Sequence, residues 1–151
     1  MPYFAAMFAQ TDTGWMGTEA ELADASAMDD VADLMRETAV ETTGDPVILL
    51  VEEDDEWFAI LRLDGEEDPR VYLSDARASQ TSKLAGLLYQ FIGSEEWQPG
   101  EEPEGDPLLL EDLGTSAADL GDLSERMLPG DALLKVAETA GFAEEFDRLR
   151  D

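Results

Sequence analysis

The order of hydrophobic periodicities predicts an α+β fold. It is an antiparallel sheet of about five strands with helices on one face, followed by an acidic linker and a small C-terminal helical segment. Three observations carry this. Alternating or continuous apolar runs sit at the N-terminus and again over residues 47–73. Apolar stripes at helical spacing lie between and after them. Between residues 93 and 112 the composition shifts to proline, glycine and acid.

Residues 2–10, P-Y-F-A-A-M-F-A-Q, alternate as a strand: Tyr3, Ala5, Met7 and Ala9 fall on one side, Phe4, Ala6 and Phe8 on the other. Thr11-Asp12-Thr13-Gly14 is turn chemistry, and Trp15 to Leu22 alternates as a hairpin partner. Ser26 with Asp29 resembles a capping pair at the start of a helix over about 27–40. The apolar stripe of that helix is Met28, Val31, Ala32, Met35 and Ala39. Gly44-Asp45-Pro46 ends this segment.

Val47 to Val51 is continuously apolar, which marks a strand covered on both faces. Trp57–Leu63 and Arg70–Leu73 supply two more strands, so the three form a meander with acidic turns. A helix over about 80–92 follows, with Leu84, Leu87, Leu88, Phe91 and Ile92 inward. Gly93 to Asp112 holds three Gly, three Pro and eight acids with no base, and reads as a flexible, extended linker. Beyond it, Thr115–Met127 is helical, with Ser116 and Asp119 as a second capping pair and Leu120, Leu123, Met127 and Leu128 as its apolar face. After Pro129-Gly130, Asp131 can cap a helix reaching Ala140, with Gly141 at its C-terminal cap. A last short helix over 142–149 turns Phe142, Phe146 and Leu149 inward. The expected division is therefore 1–92, an α+β domain; 93–112, a linker; and 113–151, a helical segment. Whether the tail packs on the sheet is left open at this level.

The charge is unusual. There are 37 acids against nine Lys and Arg, a net charge of −28. Nucleic acid and anionic membranes would be repelled by such a surface, whereas a basic protein surface would be attracted. No apolar stretch is long enough to span a membrane, and the N-terminus carries no secretory pattern, so the expected location is the cytoplasm. The chain contains no His and no Cys. That excludes Ser-His-Asp and Cys-His nucleophilic sites, ordinary zinc sites and the zinc-deaminase arrangement. No phosphate-binding glycine loop and no calcium-loop pattern is present. The reading is a non-enzyme without cofactor or metal.

The five consecutive acids Glu52, Glu53, Asp54, Asp55 and Glu56 connect two apolar strands and are followed by Trp57. They lack the Asn, Gly or Pro of a favoured hairpin turn, and they crowd like charges. Glu52–Glu56 with Trp57 are the candidate partner-binding residues, a docking patch for Arg or Lys. The opposing reading is a solvated hairpin tip with Trp57 in the core. Asp64–Asp68 would lie at the other end of the sheet.

Four strings resemble a known family: Y-F-A-A at Tyr3–Ala6, V-E-E-D-D-E-W-F-A at Val51–Ala59, D-P-R-V-Y-L-S-D-A-R-A at Asp68–Ala78 and G-F-A-E-E-F at Gly141–Phe146. Together they look like the tRNA adenosine deaminase-associated proteins of actinobacteria. The resemblance implies a helper or regulator of the deaminase that makes inosine at the tRNA wobble position. It brings no catalytic residues with it. The resulting expectation is an acidic accessory protein that binds a basic protein surface, in its sharpest form as a nucleic-acid mimic. The alternatives are a carboxylate-based divalent-cation-binding protein or small enzyme, and a structural self-associating module.

Overall fold

The computed structural model describes residues 3–20, 22, 28–53, 56–64, 69–75, 78–89 and 104–150. At its centre lies one antiparallel sheet. Strand β1 (Tyr3–Thr11) forms a hairpin with β2 (Gly14–Glu19), and helix α1 (Met28–Thr42) follows. The meander β3 (Val47–Glu53), β4 (Trp57–Leu63) and β5 (Arg70–Leu73) comes next. Two short helices, α2 (Ala78–Thr81) and α3 (Lys83–Tyr89), precede a two-residue strand β6 (Glu104–Gly105). Helices α4 (Ala117–Arg126), α5 (Pro129–Ala140) and α6 (Ala143–Arg150) complete the chain. The strand order is β2-β1-β3-β4-β5-β6.

Every residue of β3 and β4 is buried, as the continuous apolar run over Val47–Val51 predicts. Alternation divides their side chains between two cores. Met7, Leu49, Val51, Trp57 and Leu61 face one side, where Val31 and Met35 of α1 and Ala85 and Leu88 of α3 cover them. Phe8, Ile48, Leu50, Phe58 and Ile60 face the other, against Leu120, Leu133, Val136, Phe142 and Phe146. The C-terminal helices thus build their core on the sheet. Phe142 is central: its ring stacks on Phe8 at 4.4 Å between centroids and meets Trp15 at 4.8 Å.

Local signals in the sequence set several boundaries. Ser116 accepts from the Asp119 N–H at 3.2 Å and Asp119 accepts from the Ser116 N–H, the reciprocal cap that starts α4. Gly141 ends α5 in the left-handed region at φ 100°.

Other expectations are corrected. Helix α5 begins at Pro129, not at an Asp131 cap; Pro suits the first helical position because its missing N–H would have no helical partner there. Leu128, expected on an apolar face, is 62% exposed, because α4 ends at Arg126 and Met127 is already extended. The helix expected over 80–92 is two helices broken at Ser82. The Ser82 hydroxyl accepts from the Ala85 N–H at 3.1 Å and so caps α3. Ser26, Phe91 and Ile92 lie outside the described residues.

The expected linker is corrected most. Its residues 93–103 fall outside the described residues, but 104–112 are not an extended connection. Strand β6 pairs with Tyr72 and Leu73, and Asp106 N–H donates to the Val71 carbonyl at 2.8 Å. Leu109 and Leu110 are buried in the second core, and a 3-10 turn over Glu111–Leu113 ends at Gly114. Gly105 makes this approach possible. Its φ is 115°, and a Cβ there would lie 2.0 Å from the Val71 carbonyl oxygen.

Docking of the tail on the sheet predicts a large effect at Phe142. Phe142→Ala is expected to lower unfolding stability by about 3–5 kcal/mol in urea titrations. Val40→Ala, at a position 77% exposed, is expected to stay within about 0.5 kcal/mol of the parent.

Candidate protein-interaction surface

The acidic run does not stand on the surface as a unit. Strand β3 continues through it as far as Glu53, setting Glu52 opposite Phe4 and Phe58, and Glu53 opposite Tyr3 and Trp57. Glu52, Glu53 and Trp57 are buried. Trp57 Nε1 donates to Glu53 Oε1 at 3.3 Å, and the Ser82 hydroxyl donates to the same oxygen. These two donors satisfy a carboxylate oxygen that burial takes out of water. Glu53 thereby ties β3, β4 and the start of α3 together. Glu56 is exposed, and its N–H closes the turn onto the Glu53 carbonyl at 3.0 Å. Asp54 and Asp55 lie outside the described residues. Among the described members, then, Glu56 alone is available to a partner. Burial of the others follows from strand register, which outranks the solubility of an isolated acid.

The opposite end of the sheet carries a charge cluster that sequence reasoning did not find. Arg62 of β4 is directly opposite Arg70 of β5, a pairing that repels unless acids intervene. Asp64 sits between them: Oδ1 accepts from Arg62 Nε at 3.0 Å and Oδ2 from Arg70 Nη2 at 2.9 Å. Asp112 takes the Arg62 guanidinium in a two-pronged pair, Nη2 donating to Oδ2 at 2.8 Å and Nη1 to Oδ1. Arg62 Nη1 also donates to the Leu109 carbonyl at 2.8 Å, and Arg70 Nη1 donates to Asp106 at 3.2 Å. The Arg62 side chain is 7% exposed. The two-pronged geometry matches the planar guanidinium and is what permits its burial.

The pair also biases both protonation states. The hydrogen bond to Asp112 chiefly raises Arg62, and the Arg62 hydrogen bond chiefly holds the Asp112 carboxyl below the usual carboxylate range. Nearby, burial pushes the Tyr72 phenol up; its hydroxyl lies 2.8 Å from Ser124 Oγ and donates to the Leu120 carbonyl. Arg62, Asp64, Arg70, Leu108, Glu111 and Asp112 line an open cleft of about 390 Å³. Both guanidinium forks in it are engaged by acids of the chain, so its evident work is to clamp residues 104–113 onto β4 and β5. Two signals in the sequence pointed here. Arg62 is a lone charge in an apolar strand of a base-poor chain, and Leu108-Leu109-Leu110 is an apolar triplet within an acidic stretch.

The exposed acidity is elsewhere. On α1, Asp29, Asp33, Glu37 and Glu41 are all exposed at four-residue intervals, a row along one side of the helix. Like charges so spaced weaken a helix by a few tenths of a kcal/mol per pair. Arg36 reaches Asp33 at 3.5 Å. Among the described residues, no group of three or more Asp or Glu is arranged to hold a metal ion, and no helix is long and apolar enough to cross a membrane.

A family model matches residues 3–143, from the first strand into the last helix. The chain belongs to the Rv3753c-like tRNA adenosine deaminase-associated protein family. The family is described by its association with the deaminase and not as the deaminase itself. No curated protein and no solved structure matches the chain.

The clamp predicts a local acid response. The folded state depresses the Asp112 carboxyl below 3.8. Its contribution to stability is therefore complete above that pH and is lost as pH falls further. Asp112 is 63% exposed, so screening keeps the contribution modest. Protection of the Leu113 and Thr115 amides, which donate to the Leu110 carbonyl, is expected to fall below about pH 3.8 before that of the central strands. Asp112→Asn should produce the same local loss of protection at neutral pH, at a cost of up to about 1 kcal/mol.

Proposed function

We propose that this family member is a non-catalytic acidic accessory protein that docks on a basic surface of a tRNA adenosine deaminase. The observation that carries the reading is the uneven disposition of charge in a chain of net −28. Among the described bases, Arg36, Arg62 and Arg70 are engaged by acids of the chain itself and Lys83, Lys135 and Arg148 are exposed singly, while Asp29, Asp33, Glu37 and Glu41 form an exposed row on α1. The family description supports the identity of the partner, and the absence of His and Cys agrees with a helper that does not itself deaminate. An enzyme that binds tRNA needs a basic groove. In the sharpest form of the proposal, this protein occupies that groove in place of nucleic acid.

Binding between the purified protein and the tRNA adenosine deaminase of the same organism is expected at low salt. It should weaken steeply as salt rises, because exposed charges are screened over roughly 8–10 Å near physiological ionic strength. Added tRNA should compete. Salt-independent binding would move the interface to an apolar surface and end the mimicry reading; no binding at low salt would overturn the partnership.

A further inference from the structure

We infer that the outer edge of β2 is the seat for an extended, Lys- or Arg-bearing segment of the partner, added to the sheet as a seventh strand. The inference rests on the partnership proposed above and specifies its contact. The hydrogen-bond pattern identifies which groups are offered. Ala20 N–H donates to the Ala5 carbonyl at 2.9 Å, and Gln10 N–H donates to the Pro46 carbonyl at 3.2 Å. Antiparallel ladders alternate, so odd-numbered residues of β1 bond toward β2 and even-numbered ones toward β3. In the β1–β2 register, Gly14, Met16 and Thr18 therefore use their backbone groups on Thr11, Ala9 and Met7. Trp15, Gly17 and Glu19 turn theirs outward. Among the described residues, no strand pairs with that edge.

The edge is firmly held. Trp15 packs on Phe142, and a Cβ at Gly17 would lie 3.0 Å from the Phe8 ring and 3.1 Å from Leu149 of α6. Strand β2 thus lies close upon the second core, and its register with β1 is unbroken over six pairs. On its other face Met16 is 51% exposed and Thr18 is exposed, ready to pack beside side chains of an incoming strand. Exposed edges are commonly guarded by Lys, Pro or a bulge. Strand β2 has no Lys, no Pro and no bulge.

Charge selects the occupant. Residues 1–35 contain seven acids and no Lys or Arg; the first base is Arg36. Asp12, in the turn before β2, and Glu19, the last residue of β2, are both exposed. A second copy of the chain would bring the same acids together across the new pairing, which like-charge repulsion opposes. A basic segment meets complementary charge, while main-chain hydrogen bonds supply affinity that does not depend on its exact sequence.

The test is amide hydrogen exchange of the full-length protein, free and with the deaminase at low salt. In the free protein, Trp15, Gly17 and Glu19 should exchange fast, while Met16 and Thr18 are protected by β1. On binding, the three odd-numbered amides should slow by at least tenfold, leaving an alternating pattern. Binding without new protection at these amides would overturn the edge inference and leave the partnership standing. No binding at all would remove both. As a second arm, Glu19→Pro deletes one outward N–H and no bond to β1, and should weaken binding about tenfold. Unchanged affinity in a folded Glu19→Pro protein would also count against the edge.

Discussion

The constraint on which the rest depends is that β3 and β4 are covered on both sides. A strand such as Val47-Ile48-Leu49-Leu50-Val51 exposes apolar surface in both directions, and each buried large side chain is worth roughly 1.5–3 kcal/mol. Helices α1 and α3 meet the odd-numbered side, and among the described helices α4, α5 and α6 meet the even-numbered side. The chain between them must therefore cross from one face of the sheet to the other. Residues 104–113 end that crossing beside β5. The Arg62–Asp112 pair and the buried Leu109 and Leu110 fix its end, so the clamp is a consequence of the two-sided core.

The same constraint explains where the acids go. With both faces of the sheet occupied, burying an acid is costly unless donors meet it, as Trp57 and Ser82 meet Glu53. Among the described residues, Asp29, Asp33, Glu37 and Glu41 on α1, and Asp12 and Glu19 beside or at the end of β2, stand exposed. Self-repulsion among them is a standing cost in stability, and a basic partner would relieve it. Function and fold are linked here by subtraction: what the cores cannot accept becomes the surface offered to others.

Much of the fold was legible in the sequence because its signals are local. The alternation of Tyr3–Ala9, the stripe of α1, the Ser116–Asp119 cap and Gly141 each depend on neighbours within a few residues. The misreadings that bear on the site concern pairings distant along the chain. Glu52 and Glu53 look like a turn until their register with Phe4, Tyr3, Phe58 and Trp57 is known. Asp112 looks like one more linker acid until Arg62, fifty residues away, closes on it. Proline, glycine and acid between 93 and 112 masked Leu109 and Leu110, which pack in the second core. The candidate surface was legible only as a property of the whole chain, an excess of negative charge, and not as a set of positions.

The most direct test of this account is whether the two cores melt together. Trp57 reports on the first and Trp15 on the second. Two single-tryptophan proteins, one with Trp15→Phe and Trp97→Phe and one with Trp57→Phe and Trp97→Phe, can be unfolded in urea by fluorescence, each against its own circular dichroism. Because one sheet supplies an inner layer to both cores, each fluorescence transition should coincide with its own circular dichroism transition. A Trp15 transition that precedes loss of secondary structure, with Trp57 still buried at that urea concentration, would contradict it: the C-terminal helices would then be a separable layer rather than half of the fold.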